Sequence, residues 1–249
     1  MREDRVIELS IVIPCRNERE TITATVQEAA AAIVELGIPA EIIVADNASN
    51  DGSGDLAASA GARVVHVDSP GYGSALKSGI EAAQGTFVVM GDADGSYDFG
   101  ESGRLVAAMR DGSALVMGCR FPRWGGAIEK GAMPWSHRNF GNPALSLLAR
   151  ILFPVAIHDV YCGLRGFVKG RYDQLNMEQR DMTFAVEMVV KFSLIGMPVS
   201  EVPIRLRKDA RIHTRPHLRT LQDGWATLRL LLSYWYQARK GALVVRCDQ

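Results

Sequence analysis

Residues 88–97, VVMGDADGSY, constrain the fold more than any other stretch: an apolar run stops on glycine and two carboxylates, Asp92 and Asp94, one residue apart. A short apolar run bounded by turn residues reads as a buried parallel strand, and open α/β sheets bind ligands at the carboxyl ends of their strands. Side chains two apart on an extended segment point the same way, so both carboxylates can face one ligand. Two hard oxygen donors, with Gly91 and Gly95 permitting a bent backbone, suit a Mg²⁺ or Mn²⁺ that keeps waters and takes its other ligands from phosphates. A solvated acidic turn has the same pattern, so the rest of the chain must decide.

Other runs repeat the strand signal. ELSIVIP (8–14), AEIIVAD (40–46), Arg63 to Val67, Ala114 to Gly118 and Val199 to Leu206 are strands by composition. Between them, Thr21 to Leu36, Gly54 to Ser59, Ser74 to Ala83, Phe99 to Arg110, Pro143 to Phe153 and Thr183 to Ile195 read as helices, and Gly125, Gly126 and Gly131 as a loop. The alternation predicts right-handed crossovers and an α/β fold: a Rossmann-like, mainly parallel central sheet with helices on both faces. The last helix places Leu218, Leu221, Trp225, Leu228, Leu232 and Trp235 on one stripe, and its end, LLLSYWY, is apolar on nearly every face. Such an end serves a core, a bilayer interface or a second copy of the chain, which leaves a homodimer open.

With 249 residues, 47% of them hydrophobic, the chain can bury one large α/β core. Its net charge of +0 gives it no reason to bind nucleic acid, although bases crowd into Arg205 to Arg219. Cys15, Cys119, Cys162 and Cys247 lack metal-ligand spacing and read as thiols of a reducing compartment. The first residues have no apolar signal region, and no run reaches the roughly 20 apolar residues of a membrane span, so a cytoplasmic protein is expected, with a membrane-facing side permitted by the Pro143 to Phe153 helix.

GYGSALKSG (71–79) is not a dinucleotide fingerprint, and no P-loop occurs. Lys77, near a helix start, could meet a diphosphate or lie in solvent. Asp159 and Arg165 share a Gly-rich segment, and Glu187 sits among apolar neighbours, where an acid must be partnered or wet.

Together VIPCRNE (12–18), VADNASNDGS (44–53), GYGSALKSG (71–79), GDADGSY (91–97), GCRF (118–121), HRNFGN (137–142), DVYCGLRGF (159–167) and EVPIRL (201–206) resemble an inverting family-two glycosyltransferase of the GT-A fold, and within it the polyprenyl-phosphate hexose synthases. The resemblance implies a GT-A domain over 1–215, with a nucleotide-sugar half at about 1–120 and an acceptor half at about 121–215, followed by an amphipathic helix over 216–249. It implies that Pro14, Asn17, Glu18, Asp46, Asn47, Lys77, Asp92 and Arg120 bind a UDP- or GDP-linked sugar, and that Asp92 and Asp94 hold Mg²⁺ or Mn²⁺. Arg138, Arg205 and Arg207 are implied at the acceptor phosphate, and Asp94, Asp159 and Arg138 as catalytic. Arg211 to Arg219 reads equally well as a solvated basic face, and Asp51 as a turn cap.

The expected chemistry is displacement at the anomeric carbon with inversion. A phosphate acceptor is already an anionic nucleophile and needs only positioning, whereas an alcohol needs a base, for which Asp159 or Glu187 is the candidate. Many bacterial relatives continue into transmembrane hairpins; a chain ending at Gln249 is expected to meet the membrane peripherally, to use a membrane partner, or to serve a soluble acceptor such as a sugar or nucleoside intermediate.

Overall fold

The computed structural model describes residues 6–213 and 220–241. Its centre is a seven-stranded sheet in the order β3-β2-β1-β4-β7-β5-β8. The strands are β1 (Leu9–Cys15), β2 (Ala40–Asp46), β3 (Arg63–His66), β4 (Phe87–Met90), β5 (Leu115–Cys119), β7 (Arg165–Val168) and β8 (Val199–Pro203). A separate parallel pair joins β6 (Ala127–Ile128) to β9 (Arg205–Leu206). The helices are α1 (Ile22–Leu36), α2 (Ser53–Ser59), α3 (Tyr72–Ala82), α4 (Ser102–Arg110), α5 (Asn142–Leu152), the single-turn α6 (Lys169–Tyr172), α7 (Phe184–Leu194) and α8 (Thr220–Arg239).

All pairings in the large sheet are parallel except those of β7, which runs antiparallel to both β4 and β5. The central strands are buried on both faces, which is why they read as continuous apolar runs. From β1 the chain steps outward to β2 and β3, then returns to place β4 on the other side of β1. Right-handed crossovers therefore put α1 and α2 on one face and α3 on the other. The reversal makes the carboxyl ends of β1 and β4 the topological switch point, and both expected acidic segments leave the sheet there.

Two expectations need correction. Val199 to Leu206 is not one strand: Ile204 sends its N–H to Cys119 O at 3.0 Å but gives its carbonyl to Ala127 N at 2.9 Å, so the chain changes sheets at that residue. The Gly-rich segment after Asp159 ends in a central strand, β7, which glycines and arginine had disguised. His137 to Gly141 forms a π-helical stretch that runs without a break into α5, so the HRN segment opens that helix. Cys15, Cys119 and Cys162 are free and buried, and burial pushes each thiol up to about 12; Cys247 and Leu218 lie outside the described residues. Helix α8 packs against α5 and α7, burying Leu231 and Tyr234.

Candidate active site

The loops after β1 and β4 are tied together before any ligand is considered. Thr25 of α1 donates its hydroxyl to Ala93 O at 3.0 Å, which fixes the residue between the two carboxylates. Asp94 Oδ1 accepts from the amide and the hydroxyl of Ser96 at 3.0 and 2.6 Å. Asp92 Oδ1 accepts from Tyr72 Oη of α3 at 2.9 Å. Burial, and then the charge of Asp92, raises Tyr72 well above its ordinary value, so its hydroxyl stays a donor. Burial and the neighbouring Asp94 push Asp92 above the usual carboxylate range. Gly163 closes over this carboxylate: a Cβ there would stand 2.6 Å from Asp92 Oδ2, so only glycine permits the approach.

Glu18 brings a third carboxylate to the same place. Its amide donates to Ser53 Oγ at 2.8 Å, and burial raises its carboxyl to about 7. The guanidinium of Arg211 joins the group, reaching Glu18 Oε1 at 2.9 Å, Asp94 Oδ2 at 3.0 Å and Asp209 Oδ2 at 2.6 Å. Arg211 had looked like part of a solvated basic face, yet its side chain is only 7% exposed. Its signal was concealed by the run of bases around it.

The remaining nucleotide-sugar candidates fall into two groups. Asp46, at the end of β2, is buried beside a cavity of about 520 Å³ that it lines with Ser49, Asp55, His66 and Asp68. Its Oδ1 accepts from Ser49 N at 3.1 Å, and Oδ2 lies 3.7 Å from His66 Nδ1. Pro14 is half-buried within β1 and pairs in register with Ala45. Asn17 and Asn47 fasten loops: Asn17 Oδ1 accepts from Asn50 N at 2.9 Å, while Asn47 donates to Ser69 O at 2.7 Å and accepts from Gly71 N at 2.9 Å. Lys77 is exposed and reaches Met177 O at 3.3 Å. Asp51 caps its turn as expected, accepting from Ser53 N at 3.0 Å and Arg19 N at 3.1 Å.

Arg120 and Asp159 find each other. Nε and Nη2 of Arg120 each donate to an Asp159 oxygen at 2.7 Å, and the Arg120 amide adds a third bond at 3.1 Å. Arg120 Nη1 reaches Tyr97 Oη at 3.4 Å, and that oxygen also accepts from Gly163 N at 2.8 Å. Asp159 is 0% exposed, and both of its carboxylate oxygens are engaged by Arg120. Glu187, the other candidate base, is also fully buried. It accepts from Glu178 N, Gln179 N and Tyr234 Oη at 2.9, 2.8 and 2.8 Å and pairs with Lys191 at 2.8 Å, clamping α7 and α8 to the 178–179 loop.

Of the acceptor-phosphate candidates, Arg207 is paired with Glu28 at 2.6 Å and with Asp98. Arg205 and Arg138 are exposed, the first on β9 and the second on the 137–141 π-helical stretch. Arg165 had been noted only as a neighbour of Asp159. It is completely buried at the start of β7, donating to Ala185 O at 2.7 Å and Cys162 O at 2.5 Å, while its Nε has no partner among the described residues.

Among the described residues no three acidic, histidine or cysteine side chains converge to enclose a metal. Two carboxylates suffice for an ion that completes its shell from water and phosphate, and the guanidinium lodged between Glu18 and Asp94 marks the spot as one that takes a cation.

Comparison with known proteins fits this geometry. The chain is 32% identical over 228 residues to the low-salt glycan biosynthesis hexosyltransferase Agl6 of Haloferax volcanii, matching 90% of this chain and 53% of that one, so it spans about half the length of that relative. It is 30% identical to the polyprenol monophosphomannose synthase of Mycolicibacterium smegmatis over 78% of this chain and 75% of that protein. The glucosyl-3-phosphoglycerate synthase of Mycobacterium tuberculosis, crystallised with Mn²⁺, UDP and glucosyl-3-phosphoglycerate, has the same GT-A fold: TM-score 0.66, 22% identity, covering 94% of this chain and 80% of that one. The family model described as glycosyl transferase family 2 matches residues 10–169. With more than half its length matched by that model, and with this sheet order around the site, the chain belongs to glycosyl transferase family 2.

Proposed function

We propose that the chain transfers a hexose, with inversion, from a UDP- or GDP-sugar to a polyprenyl phosphate, using Mg²⁺ or Mn²⁺ held by Asp92 and Asp94. The observation that carries the donor half is the meeting of Glu18 from the β1 loop and Asp94 from the β4 loop on one lodged guanidinium at the switch point, with Asp92 two residues before Asp94. Asp92 and Asp94 would hold the metal, which would supply charge stabilisation for the donor diphosphate and the departing nucleotide. Asp46 and its cavity receive the nucleoside, whose N–H and O–H groups suit an acceptor-only carboxylate.

The acceptor is read from what the candidate bases are doing. Asp159 and Glu187 are buried and fully engaged, which leaves neither to deprotonate an alcohol. A phosphate acceptor needs no such base and is positioned by cations. Arg138 provides one on the 137–141 stretch, flanked by Trp135 and Phe140, whose rings meet edge to face at 5.3 Å. Trp135 is 70% exposed and Phe140 61%; Leu147 and Ile151 of α5 and Leu232 and Tyr236 of α8 are also exposed. No helix among the described residues is long and apolar enough to cross a membrane. An exposed apolar band beside cations fits a surface that rests on lipid. In this reading 1–120 serve the donor, 121–215 the acceptor, and the terminal helix the membrane face.

A soluble acceptor is the second reading, favoured by the fold shared with the synthase crystallised with glucosyl-3-phosphoglycerate. The donor half is tested by Asp94→Asn: metal-dependent turnover of the nucleotide sugar falls at least about a hundredfold, with an unchanged melting temperature. A folded Asp92→Asn/Asp94→Asn double variant with full metal-dependent turnover would refute it.

A further inference from the structure

The Arg211 guanidinium touches one carboxylate from each of the two loops that meet at the switch point, at 2.9 Å to Glu18 and 3.0 Å to Asp94. Asp209, two residues earlier, grips it through both carboxylate oxygens. The backbone around it is fastened across the site: Arg207 N donates to Ser96 O at 2.8 Å, Ala210 N to Asp94 O at 2.9 Å, and Ile212 N to Glu20 Oε2 at 2.6 Å. Residues 207–213 thus form a strap over the β1 and β4 loops. Glu18, Asp92 and Asp94 would otherwise present their charges to one another in a partly dry place, where like charges are costly.

Resting on the reading that Asp92 and Asp94 take a divalent ion, we propose that Arg211 is the resident counter-cation of the donor-free site, and that the metal must displace its guanidinium from Asp94 in order to bind. Asp209 keeps the displaced side chain close, since Arg211 Nε, which does not touch Asp94, reaches both Asp209 oxygens at 2.9 Å. A guanidinium released beside an incoming diphosphate is a suitable bidentate partner for it. The exchange favours arrival of the metal together with the donor, because a bare ion must compete with a charge already in place, whereas a metal–diphosphate offers Arg211 a new anion.

The test is a Mn²⁺ titration of the full donor-free chain, followed by the electron paramagnetic resonance signal of free Mn²⁺. Arg211→Gln removes the competing charge and keeps much of the side-chain volume, so Mn²⁺ binds about tenfold more tightly than to the wild type. Arg211→Lys retains a charge that cannot bridge two carboxylates as a fork, and gives an affinity between the two. Wild-type or weaker Mn²⁺ affinity in both variants would overturn the proposal. Asp94→Asn, introduced into the wild type and into Arg211→Gln, separates the two readings. If it abolishes Mn²⁺ binding while Arg211→Gln changes nothing, Arg211 is not the counter-cation and the metal site stands. If Mn²⁺ binding survives Asp94→Asn in both backgrounds, the metal site itself is wrong.

Discussion

Asp159→Asn keeps the shape of the side chain and removes its charge, which makes it the sharpest probe of whether this carboxylate holds or reacts. In the native protein both Asp159 oxygens are engaged by Arg120 at 2.7 Å, and the arginine side chain is only 8% exposed. Breaking such a pair from one side leaves a buried guanidinium uncompensated, at a cost of about 3–5 kcal/mol. For a chain of this size each kcal/mol moves the melting temperature by about 2–4 °C, so the variant should melt roughly 6–20 °C below the wild type. Thermal and urea unfolding measure this directly. Replacing both partners, as Arg120→Met/Asp159→Leu, removes the orphaned charge and should recover much of the loss, because an apolar pair costs little where an ion pair was buried. An Asp159→Asn protein that melts within about 2 °C of the wild type but has lost turnover would refute the holding role and return Asp159 to the place of a base.

Two further outcomes are expected. The folded-state value of Glu18 is raised from 4.5 to about 7, so the native protein binds more protons than the unfolded chain between those values. The stability linked to this group is therefore present below about pH 4.5 and lost as pH rises through about 7. Glu18→Gln should match the wild type in melting at pH 4.5 and exceed it at pH 8, by up to about 3 kcal/mol, while binding donor less well; equal melting differences at both pH values would contradict the burial. Replacing Trp135, Phe140 and Ile151 with serine touches side chains at least 61% exposed, so the core is spared. It should leave melting unchanged and weaken co-sedimentation with anionic vesicles at least tenfold, since each buried side chain of this kind contributes about 1.5–3 kcal/mol; unaltered sedimentation would remove the membrane face.

What could be read from the sequence was whatever is local in it. β1, β2 and β5 announced themselves because strands buried on both faces are apolar without interruption. β7 did not, because its sequence, RGFV, begins with a buried arginine and a glycine, and its burial depends on neighbours from both sides of the chain. The acidic pair was legible because two residues suffice to define it. The pairing of Arg120 with Asp159, 39 residues apart, was not, since each alone resembles a ligand-binding residue. Asn17 and Asn47 fasten loops, and the sequence could not show this, because a short amide that holds a loop and one that grips a nucleotide occur in the same Gly- and Asp-rich context. Arg211 was lost in a basic run, and only the fold shows which of those charges turns inward.

The most direct test of the central claim is transfer itself. The protein is given UDP- and GDP-hexoses labelled in the sugar, with Mn²⁺ and polyprenyl phosphate in detergent, and label is followed into organic solvent alongside nucleotide release. Label in the lipid phase, lost with Asp94→Asn and with removal of the metal, is the expected result. Nucleotide release that depends on metal and Asp94 but leaves the lipid unlabelled would contradict the lipid acceptor and point to a soluble one.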